Sequence, residues 1–201
     1  MSSDNTKLSS SVTVARYREL ERANDRRALG DFVQERFDER YFRPIEDSRS
    51  KHGFALMAVA CLVIETIESF YQGRADTRNA SRKMFRDFFN RDTPLKVFGG
   101  VNDWFFEDLR CGLLHQGEAR GGWRILRKGP LLDTKSRTIN ATQFLRELRK
   151  VVAEYANRLA ADERCWEQFK TKMKAICGNC TERGSVVQPG LAVGVPQAVR
   201  R

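Results

Sequence analysis

At 201 residues and a net charge of +10, with 41% hydrophobic and 31% charged residues, the chain fits one globular domain with short tails. Thirteen phenylalanines and an aromatic content of 10% exclude a generally disordered polymer. The five cysteines are odd in number and no apolar leader precedes them, which argues against a secreted disulfide scaffold and for a reducing, cytoplasmic setting.

Residues 1–11 are Ser-rich and polar and read as a loose tail. Apolar and aromatic positions from Tyr17 to Tyr41 keep helical spacing and predict a long helix over 12–41. The charged stretch Glu21–Arg27 and the weak point at Gly30 leave two shorter helices as the alternative, and Pro44 marks the turn. A second helix is predicted over 50–71. Its start, Phe54–Ile64, is apolar on nearly every side, too short to span a bilayer and suited to a central place. Its later part turns Ile64, Ile67, Phe70 and Tyr71 inward, with Glu65 and Glu68 outward. Gly73 fits the left-handed position after its end.

A third helix over 80–90 puts Met84, Phe85, Phe88 and Phe89 on one side. A linker over 95–101 precedes a fourth helix, which Asn102 or Asp103 is placed to cap and Gly117 to end. Residues 123–126 and 131–133, joined around Lys128-Gly129-Pro130, read as a small β-hairpin or a structured loop. Asn140 caps a fifth helix over 141–161, with Ile139 as a hydrophobic staple. A last helix runs over 162–176, and the Gly/Pro/Val-rich stretch 177–201 reads as a second tail. The expected fold class is all-α: a bundle of about five to six helices in one domain over 12–176, with a small hairpin insertion.

Acids and bases balance over residues 1–50. The positive excess begins after them and peaks over 101–150. A surplus of this size draws polyanions, although solubility alone is also served by it.

The stretch from Trp104 to Trp123 carries the chemistry. Arg110-Cys-Gly-Leu-Leu-His115 holds an arginine and one of only two histidines, four residues between them, where an apolar helix meets a glycine-rich loop. Trp104-Phe105-Phe106-Glu107-Asp108-Leu109 leads in and Gly-Leu-Leu-His-Gln-Gly follows. In these words the sequence resembles the HEPN superfamily of all-helical domains, many of which carry Arg, four to six residues, then His in a late helix. The likeness follows helix order over about residues 50–165 and is sharp over 104–118. The resemblance implies a HEPN-like bundle and metal-independent RNA cleavage across a homodimer interface, with His115 as base or acid and Arg110 as phosphate clamp. It implies RNA as substrate, a 2′,3′-cyclic phosphate product, and no metal or cofactor. By analogy it implies a toxin or effector in bacterial stress or phage defence, restrained by a cognate antitoxin or other regulatory protein. Many catalytic members have Asn, Asp or His directly after the arginine, where this chain has Cys111.

The chemistry stands without the family. RNA cleavage without metal needs a base for the 2′-hydroxyl and a cation at the phosphorane. Neutral imidazole suits the first role near pH 7 and a planar guanidinium the second. On an ideal helix the two side chains diverge by about 140°, so they meet only where the helix loosens near Gly112 or His115, or where both reach into one groove. The competing reading pairs Arg110 with Glu107 or Asp103 and leaves His115 to the helix C-terminus.

Gln116 and Glu118 flank the histidine and either orient it or are simply solvated. Arg120, Trp123, Arg124, Arg127 and Lys128 follow. They form either a track for a phosphate backbone with a base-stacking ring, or a solvated hairpin with a half-buried Trp. Glu65 and Glu68 either face the Arg–His groove or pair with a basic neighbour. Cys177-Gly-Asn-Cys180 is half of a zinc knuckle with no complete ligand set, and His52 reads as a helix-start residue.

Overall fold

The computed structural model describes residues 3–48, 50, 52–100 and 102–181. In chain order the helices are α1 (Val14–Arg22), α2 (Arg26–Phe37), α3 (Arg43–Glu46), α4 (Gly53–Tyr71), α5 (Ser81–Phe89), α6 (Cys111–Gln116), α7 (Ala141–Ala161) and α8 (Glu163–Thr181). Wide π-helical turns join α2 to α3 over Asp38–Phe42 and lead into α6 over Phe105–Arg110. Three short strands, β1 (Arg124–Leu126), β2 (Leu132–Asp133) and β3 (Thr138–Asn140), precede α7. The fold is mainly helical with one small sheet.

The single helix expected over 12–41 is broken at 23–25, within its charged middle. Asn24 takes a positive φ of 53°, and the Asp25 side chain caps α2 by accepting the Ala28 N–H at 3.0 Å. Gly30 is no break. A Cβ there would stand 2.7 Å from the Ala156 carbonyl oxygen, so the missing side chain is what lets α2 lie directly on α7.

The central helix is α4, which packs on α7, α5 and α8. It is longer than its apolar run: at 19 residues it is the one helix among the described residues long and apolar enough to cross a membrane. Here Met57, Ala60, Cys61, Val63, Ile64, Ile67 and Phe70 are sealed in the middle of the bundle. A second aromatic centre gathers around Phe105, which meets Phe85, Phe89, Phe98 and Phe144 at 4.8–5.9 Å between ring centroids. It fixes the π-helical turn against α5 and α7.

Glu68 is not outward, as expected, but fully buried. Arg91 donates to both its oxygens at 2.7 and 2.8 Å, and Gln72 adds a third bond at 2.8 Å. A carboxylate can leave water this completely only with such pairing.

The hairpin is also corrected. β1 and β2 do not pair with each other. Both pair with β3, β1 in parallel (Ile125 opposite Ile139) and β2 antiparallel (Leu132 opposite Ile139). The reason lies at Gly129. Its carbonyl accepts from the side chains of Asn140 and Gln143, each at 2.7 Å, so the Lys128-Gly129-Pro130 loop is pinned to the start of α7 and not folded into a tight turn. Asn140 also caps α7 as expected, accepting the Gln143 N–H at 3.0 Å.

Both tail boundaries move. Within the segment expected as an N-terminal tail, Leu8 and Ser9 are buried, Leu8 to 1% exposure, and Ser9, Ser10 and Ser11 wrap two carboxylates. Glu35 accepts from the Ser9 hydroxyl at 2.7 Å and the Ser11 N–H at 3.1 Å, and Glu39 from the Ser10 N–H at 3.0 Å. At the other end α8 continues past residue 176 to Thr181 and buries Cys177. The rest of the tail expected over 177–201, residues 182–201, lies outside the described residues.

Candidate functional site at Arg110 and His115

Arg110 stands where the π-helical turn passes into α6, with the Cys111 N–H reaching back five residues to the Phe106 carbonyl. The helix loosens just before the arginine, not after it at Gly112 or His115. The Arg110 guanidinium lies 5.5 Å over the Phe106 ring. Its Nε donates to Glu65 Oε1 at 2.9 Å, and its Nη1 lies 3.1 Å from His115 Nε2. The two motif side chains therefore meet within one chain.

A guanidinium can only donate, so a hydrogen bond here requires the Nδ1–H tautomer of His115, with Nε2 as acceptor. The Arg110 side chain is 18% exposed and Glu65 13%, whereas His115 is open to solvent. The Arg110–Glu65 pair is thus largely enclosed, and the imidazole is the part that meets water.

Glu65 is fixed in turn from α5 and the loop before it. Its Oε2 accepts from the Ser81 hydroxyl at 2.8 Å and from Thr77 at 3.4 Å. Glu107 and Asp103, the partners considered for Arg110 on its own helix, are engaged elsewhere. Glu107 pairs with Arg82, and Asp103 pairs with Arg86 at 2.5 Å and Arg82 at 3.5 Å. Asp103 does not cap the helix with its side chain. Its backbone is left-handed at φ 46°, and its carbonyl accepts the Glu107 N–H at 3.0 Å. The Arg86 guanidinium, with Arg82 beside it, holds the Asp103 carboxyl below the usual carboxylate range.

Gly117 ends α6 in the left-handed conformation at φ 71°, as its position predicts. The chain then folds back over the helix. The Glu118 N–H donates to the Gly112 carbonyl at 3.3 Å, and the Arg120 N–H to the Asp108 carbonyl at 2.9 Å. A side chain at Gly112 would collide with the Glu118 carbonyl oxygen. The glycine inside the Arg–His spacing is therefore where the returning loop passes.

Of the other residues singled out from the sequence, Gln116 and Glu118 are exposed, and among the described residues neither bonds to His115. Trp123 is half-buried and stacks on Trp104, ring centroids 4.0 Å apart and planes 17° off parallel. One of its faces is thus already covered.

Arg124, Arg127 and Lys128 are exposed and form no ion pair among the described residues. Arg124 donates to the Ser136 carbonyl at 3.3 Å and Arg127 to the Thr142 hydroxyl at 3.2 Å. Arg120 is half-buried, and its Nε has no partner. Sequence reasoning missed Arg137, whose Nη1 donates to the Gly121 carbonyl at 2.5 Å. The small sheet carries these cations without carboxylate partners, while Arg82, Arg86, Arg91 and Arg110 on the helical body are all paired.

Glu65 was weighed from the sequence, but nothing in the spacing of Ser81 or Thr77 marked them as its supports. Cys111 is half-buried with a free thiol, and Cys61 on α4 is fully buried, which pushes its thiol pKa up. Among the described residues no group of three or more His, Cys, Asp or Glu stands together to hold a metal ion. His52 precedes α4 and bonds the Ile45 carbonyl at 3.3 Å. Comparison of the chain with protein-family models, curated proteins and solved structures finds no match.

Proposed function

We propose that the chain is a HEPN-type, metal-independent endoribonuclease that works as a homodimer on RNA in the cytoplasm. The observation that carries this reading is the 3.1 Å approach of Arg110 to His115, with the imidazole open to solvent and the guanidinium anchored from behind by Glu65. His115 takes the proton of the 2′-hydroxyl, whose oxygen attacks phosphorus. Arg110 turns from the imidazole to the non-bridging oxygens as charge gathers there. The P–O5′ bond breaks, the 5′-oxygen takes a proton from water, His115 returns its proton to solvent, and the upstream fragment ends in a 2′,3′-cyclic phosphate.

The unpaired cations Arg120, Arg124, Arg127 and Lys128 then hold the backbone of the same RNA. Gln116, Glu118 and Trp123 border it. Dimerisation through the motif-bearing helix is supported by exposed apolar side chains on the elements that carry the site, Leu114 on α6 and Leu62 on α4. A role as toxin or effector in stress or phage defence, with a cognate antitoxin or other regulatory protein, follows by analogy alone.

The test is RNA degradation by the purified full chain in EDTA, with His115→Ala and Arg110→Ala compared, and sedimentation to give the oligomeric state. Loss of cleavage in both folded variants supports the reading. Undiminished cleavage in either overturns it.

A second reading is a HEPN-like module that binds RNA, a nucleotide or a protein without cutting. Cys111 favours it, standing where a stronger hydrogen-bonding residue serves catalysis in many family members. Binding with no turnover in the same assay separates the two.

A further inference from the structure

Away from the Arg–His site, residues Thr6–Leu8, the end of α2 with the wide turn after it, and the last described residues of α8 line an open cavity of about 440 Å³. Its charged lining is Lys7, Arg36 and Arg40, and among the described residues no carboxylate lines it. Arg36 and Arg40 both donate to a single acceptor, the Leu8 carbonyl oxygen, at 2.6 and 3.1 Å. A guanidinium has five N–H donors, and among the described residues the Leu8 carbonyl is the one hydrogen-bond acceptor the pair engages. The acids on the same turns are committed elsewhere: Glu35 and Glu39 accept from Ser9, Ser10 and Ser11.

Two cations drawn together on one neutral oxygen, with a third beside them, are an unbalanced arrangement. Burial, and next the charge of Arg40, bring the Arg36 pKa down to about 10, the direction that an absent counter-anion leaves.

We propose that this cavity binds a small phosphate-bearing molecule, whose oxyanion accepts from Arg36 and Arg40 and pairs with Lys7. The chemistry selects a dense, multiply acidic anion, because planar guanidinium forks match phosphate oxygens two at a time. The volume exceeds that of an inorganic ion and suits a small organic phosphate ester. The inference is independent of the ribonuclease reading, since Arg110, His115 and Glu65 take no part in the cavity.

The test is titration of the full chain with inorganic phosphate and with AMP at matched ionic strength, followed by calorimetry and by thermal unfolding. Saturable binding that weakens about tenfold or more in Arg40→Gln and in Lys7→Gln is expected. Tighter binding of AMP than of phosphate marks an organic ester as ligand, and equal binding marks phosphate alone. Arg36→Gln should unfold no lower than the parent in phosphate-free buffer, because it relieves repulsion. A plain structural strut would give a clear drop. No saturable binding of either probe, or binding unchanged in Arg40→Gln and Lys7→Gln, overturns the proposal.

Discussion

Arg110 Nη1 lies 3.1 Å from His115 Nε2, and the arginine reaches this point while its Nε is held by Glu65 at 2.9 Å. The guanidinium thus has one fixed acceptor and one exchangeable one. On the proposed ribonuclease reading, an entering phosphate would compete for the exchangeable bond and so free the imidazole lone pair. His115→Ala and Arg110→Ala are each expected to lower RNA cleavage by about 10²–10⁴-fold. Arg110→Lys should fall nearly as far, because one ammonium cannot serve Glu65 and the phosphate in the same geometry. Single-turnover kinetics on a short RNA, with detection of the 2′,3′-cyclic end, measures all three.

Removing the arginine from the buried pair on α4 should be far more damaging to stability. Arg91→Ala leaves the sealed Glu68 carboxylate with only Gln72. A loss of about 3 kcal/mol is expected in urea unfolding, against about 1 kcal/mol for Glu68→Gln, which keeps hydrogen-bonding capacity without the charge. Equal effects of the two would show that the charge pairing is unimportant.

Gly112→Ala tests the returning loop. The new methyl meets the Glu118 carbonyl, a backbone atom that cannot rotate aside. Expected are a loss of about 2 kcal/mol and faster amide exchange at Glu118 and Arg120, whose N–H groups bond to the helix there.

Acid should weaken the join between α5 and the turn before α6. The Asp103 carboxyl is held below its ordinary range by Arg86. Its ion pairs therefore add stability above the unfolded carboxyl value near 4, and this is lost as pH falls through the lower folded value. Asp103→Asn keeps the tolerance for a left-handed backbone and removes the charge. Its melting temperature should lie below the parent's at pH 6, and the gap should close as pH drops below about 4.

Neutralising the sheet should change how binding responds to salt. With Arg124, Arg127 and Lys128 all replaced by Gln, the slope of log affinity for single-stranded RNA against log salt should fall by about 2. Cleavage of a dinucleotide too short to reach the sheet should be unaffected.

Much of this architecture is legible in the residues. The α7 limits follow from an unbroken apolar stripe and a capping asparagine, and Gly73 and Gly117 fall where left-handed ends are needed. Other features depend on distant partners that spacing cannot reveal. Gly30 resembles a helix break until α7 is laid across it. Glu68 resembles a solvated residue until Arg91, 23 positions on, arrives to pair with it. The strands at 124–126 and 132–133 look like mutual partners because they are neighbours in sequence, but β3 intervenes. Arg110 and His115 were visible as a spacing. Their convergence depends on a wide turn and on a glutamate 45 positions upstream.

The Ser-rich start has a practical consequence. Trimming the chain back to Val12, as its composition invites, would remove Leu8 from the interior and strip Glu35 and Glu39 of their hydroxyl and amide donors. A shortened protein prepared for crystallisation or labelling would begin with a hole in its wall and two stranded acids beside it.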